Sequence, residues 1–314
     1  MKSHPVLWGV ALLAAAAAVA GISVARGGGG DGSLSPLVPT GHASRRSHVV
    51  VLVLENKERS GVIGTADARY LTGLARANAQ ALESFGVSHP SLPNYIALVS
   101  GSTQGITSDC TSCSADAPNL AGQLERAHRG WTAYLEGLPR PCARPARAGR
   151  YAKKHDPFAY DDAIARDPSR CRRRVPLTRL AGDVRRDRLP DFALIVPDLC
   201  HDTHDCSVAT GDRFLAGLVP GLIPALGPHG FLVITYDEGA SDAACCGDPG
   251  GGRIVTVVAG PDVRAGAVMR RPLDHYGVLG SIETAFGLPK LGAARDSRHG
   301  SLAPLFRAGR LPSL

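Results

Sequence analysis

The chain is 314 residues long, 44% hydrophobic, 20% charged and 5% aromatic, enough to bury a sizeable core as one large α/β domain or two small ones. This composition excludes a collagen, a coiled coil, a polytopic membrane protein and a largely disordered tail. The formal charge is +7, and the excess is local, with 15 Lys/Arg against 6 Asp/Glu between Arg140 and Arg188. Such a segment draws in anions, but it interleaves too few aromatics to stack single-stranded bases, so no nucleic-acid partner is expected.

Residues 1–25 read as a signal peptide or N-terminal anchor. Met1-Lys2 is followed by an uncharged, Ala-rich run with small residues at Ala18-Val19-Ala20. The run is close to the ~20 residues that span a bilayer, so a membrane contact through an uncleaved anchor stays open beside cleavage. Either way the chain is expected to be secreted or held in the cell envelope. Residues 26–46 read as a flexible Gly/Ser/Pro spacer, and 47–308 as the folded domain.

The first strand is expected at His48 to Leu54. A helical pattern follows on Leu71, Leu74, Ala75, Asn78, Leu82 and Phe85. The segment Ser88 to Gly101 places Pro93 in the first turn of a second helix, with Ser91 at or near its cap. Further apolar runs at Phe192–Val196, Phe231–Tyr236 and Ile254–Ala259 look like buried parallel strands, and Tyr276 to Phe286 like another helix. Alternation of this kind predicts an α/β fold: three layers, α/β/α, around a mostly parallel sheet.

Eight cysteines are an even number, as disulfides in an exported chain require. Cys110/Cys113, Cys200/Cys206 and the adjacent Cys245/Cys246 are near neighbours, which leaves Cys142 and Cys171 as a fourth pair. Spacing alone does not fix the connectivity. Zinc at Cys110-x-x-Cys113 is the alternative, but the motif has no second half.

Three strands end in chemistry. The first runs into Glu55-Asn56, the second into Asp198 to Asp202, and the third into Asp237-Glu238. Ligands of open parallel sheets bind beyond the strand carboxyl ends, and like charges gathered there call for a compensating cation or proton. Glu55, Asn56, Asp237 and Glu238 offer only oxygen, which suits one hard divalent ion. Ser91 reads either as a nucleophile at the positive end of a helix or as a simple cap.

His89-Pro-Ser-Leu-Pro-Asn-Tyr, with Ser100-Gly101 and Gly105-Ile106, resembles the nucleophile region of the alkaline phosphatase superfamily. Val53 to Asn56, Tyr151 to Phe158, Asp198 to Asp212 and Thr235 to Gly239 extend that likeness to the phosphoesterase family of bacterial acid phosphatases and phospholipases C, from about His48 to Phe306. The resemblance implies an alkaline phosphatase-like fold and one metal ion on Glu55, Asn56, Asp237 and Glu238, bridged by the nucleophile Ser91. It also implies that His89, Asn94, His155, Asp202 and His204 face the phosphate or the leaving group.

Three positions depart from the family pattern: Arg253 stands for a His, His201 for an Asn and Asp274 for an Asn. Arg253 is read as a phosphate ligand, and His275 as the substitute acid for the leaving group. The expected activity is hydrolysis of a small phosphate monoester through a phosphoserine. The alternatives are a phospholipase C-type diesterase or a non-catalytic exported binding protein.

Overall fold

In the computed structural model, residues 37–41 and 43–314 are described. The expected leader or anchor at 1–25 lies outside them, as does most of the spacer. What is seen of the spacer is docked onto the domain: Val38 is 1% exposed and the Leu37 N–H donates to the Gly217 carbonyl at 2.9 Å. The folded part also runs past residue 308, since the Leu314 N–H bonds the Ala285 carbonyl.

The strands, in chain order, are β1 Val49–Leu54, β2 Ala79–Phe85, β3 Trp131–Leu135, β4 Arg147–Ala148, β5 Tyr151–Ala152, β6 Arg174–Pro176, β7 Phe192–Val196, β8 Phe231–Tyr236, β9 Arg253–Ala259, β10 Ala267–Met269 and β11 Leu273–Asp274. The helices are α1 Arg69–Ala77, α2 Ser91–Ser100, α3 Leu120–Arg126, α4 Asp162–Ala165, α5 Leu180–Arg185, α6 Val208–Ala225 and α7 His275–Ala285. The main sheet runs β10-β2-β9-β8-β1-β7-β3-β6, with β11 also on β2. Strands β8, β1, β7, β3 and β6 are mutually parallel.

Burial alternates along β1 only in which layer it feeds. Val49, Val51 and Val53 pack with Tyr95 and Leu98 of α2, Leu120 of α3 and Val278 of α7. Val50, Leu52 and Leu54 pack with Leu71 of α1, Val184 of α5 and Leu218 of α6. A strand covered on both faces needs apolar residues at every position, which is why β1 reads VVVLVL. The three-layer α/β/α fold is thus observed.

Two expectations are corrected. The helical pattern from Leu71 to Phe85 breaks at Asn78: α1 stops at Ala77, and Ala79–Phe85 is strand β2, paired antiparallel with β9 and parallel with β10. The run at Ile254–Ala259 is a strand, but β9 lies antiparallel to both β8 and β2.

All eight cysteines are paired, and the structure supplies the connectivity that spacing left open: Cys110–Cys113, Cys142–Cys171, Cys200–Cys206 and Cys245–Cys246. The disulfide at Cys110–Cys113 excludes zinc there. The basic segment is largely paired within the fold. Arg174 and Asp156, both fully buried, form an ion pair behind the Lys153–His155 turn, while Arg144, Arg147, Arg170 and Arg179 reach Asp162, Asp205, Glu125 and Asp183.

Candidate active site

Strand β1 lies between β7 and β8, all parallel, so their carboxyl ends open side by side. Glu55 leaves the middle strand, fully buried. Its Oε1 accepts the Tyr95 hydroxyl at 2.5 Å and its Oε2 accepts the Ser91 hydroxyl at 3.0 Å. Burial alone would raise the Glu55 carboxyl; neighbouring His155, Tyr95 and Lys154 overturn that and hold it below the usual range.

Ser91 is the first residue of α2 and 1% exposed. Its Oγ also lies 3.2 Å from Glu238 Oε1, and Lys154 Nζ stands 3.5 Å from it. The backbone that delivers Ser91 passes Gly86, where an added Cβ would meet the Gly251 carbonyl oxygen at 2.5 Å. Only glycine permits that crossing.

Asp237 and Glu238 follow β8. Asp237 Oδ1 accepts the Asn56 N–H at 3.1 Å, while its Oδ2 is buried with no hydrogen-bond partner. Burial, then the charges of Glu55 and Glu238, push the Asp237 carboxyl well above the carboxylate range. Burial likewise raises Glu238, against the pull of His89. Asn56 supplies its φ of 58° at this turn, a backbone conformation that Asn adopts more readily than most residues. An orphaned buried oxygen, with acidic groups held at a cost, is the pattern that a hard cation relieves. Glu55, Asp237 and Glu238 are thus buried acids of a site that could hold a metal ion, and the Ser91 hydroxyl is within reach of Glu55 and Glu238.

A second group adjoins the first. His155 is buried with Nε2 3.2 Å from Glu55 Oε2 and Nδ1 3.3 Å from Asp202 Oδ2. Among the described residues, Glu55, His155 and Asp202 bring one donor atom each within 4.8 Å of the others. Burial would lower the His155 pKa; the two carboxylates lift it instead to about 9. Burial pushes Asp202 up to about 6, against the pull of His155. His155 is thus lodged between two buried acids.

His89 and His204 stand at the rim. His89 Nδ1 pairs with Glu238 Oε2, and its Nε2 bonds the Ser241 carbonyl. Burial would lower its pKa, but these two partners leave it raised. His204 Nδ1 faces Asp205 Oδ1 at 2.7 Å, its Nε2 lies 3.3 Å from Lys154 Nζ, and its ring tilts over His155 at 5.9 Å.

Three assignments change. Asn94 is not a phosphate ligand: its Oδ1 accepts the Val87 and Ser88 N–H groups and its Nδ2 donates to the Ser88 and Pro90 carbonyls. All its hydrogen-bonding capacity goes into stapling the loop that carries Ser91. The structure pairs Arg253 with β2 rather than with the site: its Nε donates to the Leu82 carbonyl and its Nη2 to Glu83 Oε1. His275 is not the leaving-group acid. It is 1% exposed, burial lowers its pKa, and its Nε2 is 2.5 Å from the Asp237 carbonyl, which it braces.

Lys154, Tyr95 and Asp109 were missed. Asp109 joins Lys154 Nζ (2.9 Å) to the Leu92 N–H (3.0 Å). Lys154 and Tyr95 both fall inside recognisable motifs, but a lysine in a basic segment and a tyrosine on a helix give no local sign of what they touch.

Acidic side chains from neighbouring parallel strand ends close on one buried serine hydroxyl. Residues 65–289 match the sequence model described as the phosphoesterase family. The chain is 32% identical over 255 residues to a phosphatidylinositol-3-phosphatase of Mycobacterium tuberculosis, covering 80% of each. It is 27% identical over 224 residues to an acid phosphatase of Aspergillus fumigatus, covering 66% of this chain and 48% of that enzyme; against such fungal relatives it spans about half their length. A solved protein of the alkaline phosphatase superfamily from Vibrio parahaemolyticus shares the fold at TM-score 0.53 and 11% identity, over 85% of this chain and 74% of that one. The chain belongs to the phosphoesterase family and is a hydrolase of phosphoric ester bonds.

Proposed function

We propose that this chain is an exported, metal-dependent phosphatase that cleaves small phosphate monoesters through a phosphoserine on Ser91. The observation that carries this reading is the Ser91 hydroxyl donating to Glu55 and lying within reach of Glu238 inside a buried acidic site. The relatives support phosphate ester hydrolysis, since they are phosphatases. Four disulfides favour an oxidising compartment, as does the leader-like sequence at 1–25.

The chemistry follows from the chain's own groups. Ser91 Oγ attacks phosphorus and passes its proton to a carboxylate already accepting it, Glu55 or Glu238. His155 keeps Glu55 ionised for that task. The leaving alkoxide takes up a proton as the ester bond breaks, and water then attacks the phosphoserine, which frees phosphate and restores the Ser91 hydroxyl. A divalent ion on Glu55, Asn56, Asp237 and Glu238 would supply Lewis-acid stabilisation of the phosphoryl oxygens.

The test is metal analysis of the purified protein beside a panel of aryl monoesters, diesters and phospholipids. Release of inorganic phosphate from monoesters, lost on chelation and restored by one divalent ion, is expected. Diacylglycerol release without monoester turnover would overturn the reading.

A further inference from the structure

Lys154 lies within the basic segment, several of whose arginines pair with carboxylates elsewhere in the fold, and its ammonium stands 3.5 Å from Ser91 Oγ. Three groups hold it there. Asp109 Oδ2 lies at 2.9 Å, His204 Nε2 at 3.3 Å, and the turn Lys153–His155 is backed by the buried Arg174–Asp156 pair. The side chain is 20% exposed, so the charge is only partly screened by water.

The helix end is poorly equipped to supply this charge itself. Of the first N–H groups of α2, that of Leu92 is donated to Asp109 Oδ1, and Pro93 has none. The same carboxylate that removes a helix donor therefore installs an ammonium beside the nucleophile. Resting on the phosphoserine reading above, we propose that Lys154 is a substrate-binding residue that sets monoesters above diesters, by holding a non-bridging oxygen that only a monoester offers. A monoester dianion carries three such oxygens and two charges. A diester carries two oxygens and one charge, and its second ester group occupies the third position. The ammonium gains a full charge-assisted hydrogen bond in the first case and faces an uncharged ester in the second.

The experiment compares Lys154→Gln and Lys154→Arg with the parent protein in kcat/KM for an aryl phosphate monoester and for its methyl diester. Competitive inhibition by inorganic phosphate and by dimethyl phosphate is measured in parallel. Lys154→Gln is expected to lower phosphate binding and the monoester-to-diester ratio of kcat/KM about 10- to 100-fold, and to leave Tm within a few degrees. Lys154→Arg keeps the charge and is expected to recover most of the monoester preference. Equal losses on monoester and diester, or no loss on either, would overturn the assignment while leaving Ser91 as nucleophile. A fully active Ser91→Ala protein would overturn both.

Discussion

Ser91 Oγ and Glu55 Oε2 meet at 3.0 Å from positions 36 residues apart, one on the first turn of a helix and the other at the end of a central strand. The other oxygen of Glu55 accepts the hydroxyl of Tyr95, one turn further along the same helix. Helix α2 therefore grips both oxygens of one carboxylate, and the Ser91 hydroxyl is set by the same contact that orients its acidic neighbour.

Tyr95→Phe removes that grip without emptying the space. Loss of a partner that orients a metal-binding carboxylate typically costs 10- to 100-fold in metal affinity or activity. The variant is expected to need about tenfold more divalent ion for half-maximal turnover, with Tm lowered by only a few degrees. A metal titration of phosphatase activity beside a thermal melt checks both halves.

Asp237→Asn should separate stability from function. The Asp237 carboxyl is held up by burial and by Glu55 and Glu238, so neutralising it relieves repulsion in protein stripped of metal. We expect chelated Asp237→Asn to be more stable than chelated parent by about 1–2 kcal/mol, while activity falls at least about 100-fold. Denaturant melts with and without chelator, together with turnover, read both effects.

Glu283 predicts a pH dependence away from the site. It sits in α7 with Oε1 accepting the Leu291 N–H and Oε2 buried without a partner. Burial lifts its carboxyl to about 7, from an ordinary value of 4.5. The folded state therefore binds this proton more tightly than the unfolded state between those values, and its stability falls as pH rises through that window. Glu283→Gln should match the parent near pH 4 and exceed it by up to about 3 kcal/mol at pH 8. Equal stability at both pH values would refute the assignment.

Much of this was legible in the sequence because buried parallel strands are written as unbroken apolar runs. Phe192–Val196 and Phe231–Tyr236 coincide with β7 and β8, and the polar pairs Glu55-Asn56 after β1 and Asp237-Glu238 after β8 lie beside Ser91. Strand β2 was hidden because Leu82 and Phe85 continue the helical spacing of α1, and only pairing with β9 and β10 makes the segment a strand. The partner that takes Arg253, Glu83, lies 170 positions away in sequence. Asn94 was misread because its targets are main-chain groups of a turn whose path no residue type announces. Lys154 gained its meaning from Asp109, 45 positions distant.

The most direct measurement is acid-quenched trapping during monoester turnover, followed by peptide mass analysis. A phosphoryl group on the peptide carrying Ser91, absent from Ser91→Ala together with at least about a 1,000-fold loss of kcat, is the predicted result. Full turnover by Ser91→Ala, or a phosphoryl group found on a histidine instead, would contradict the account.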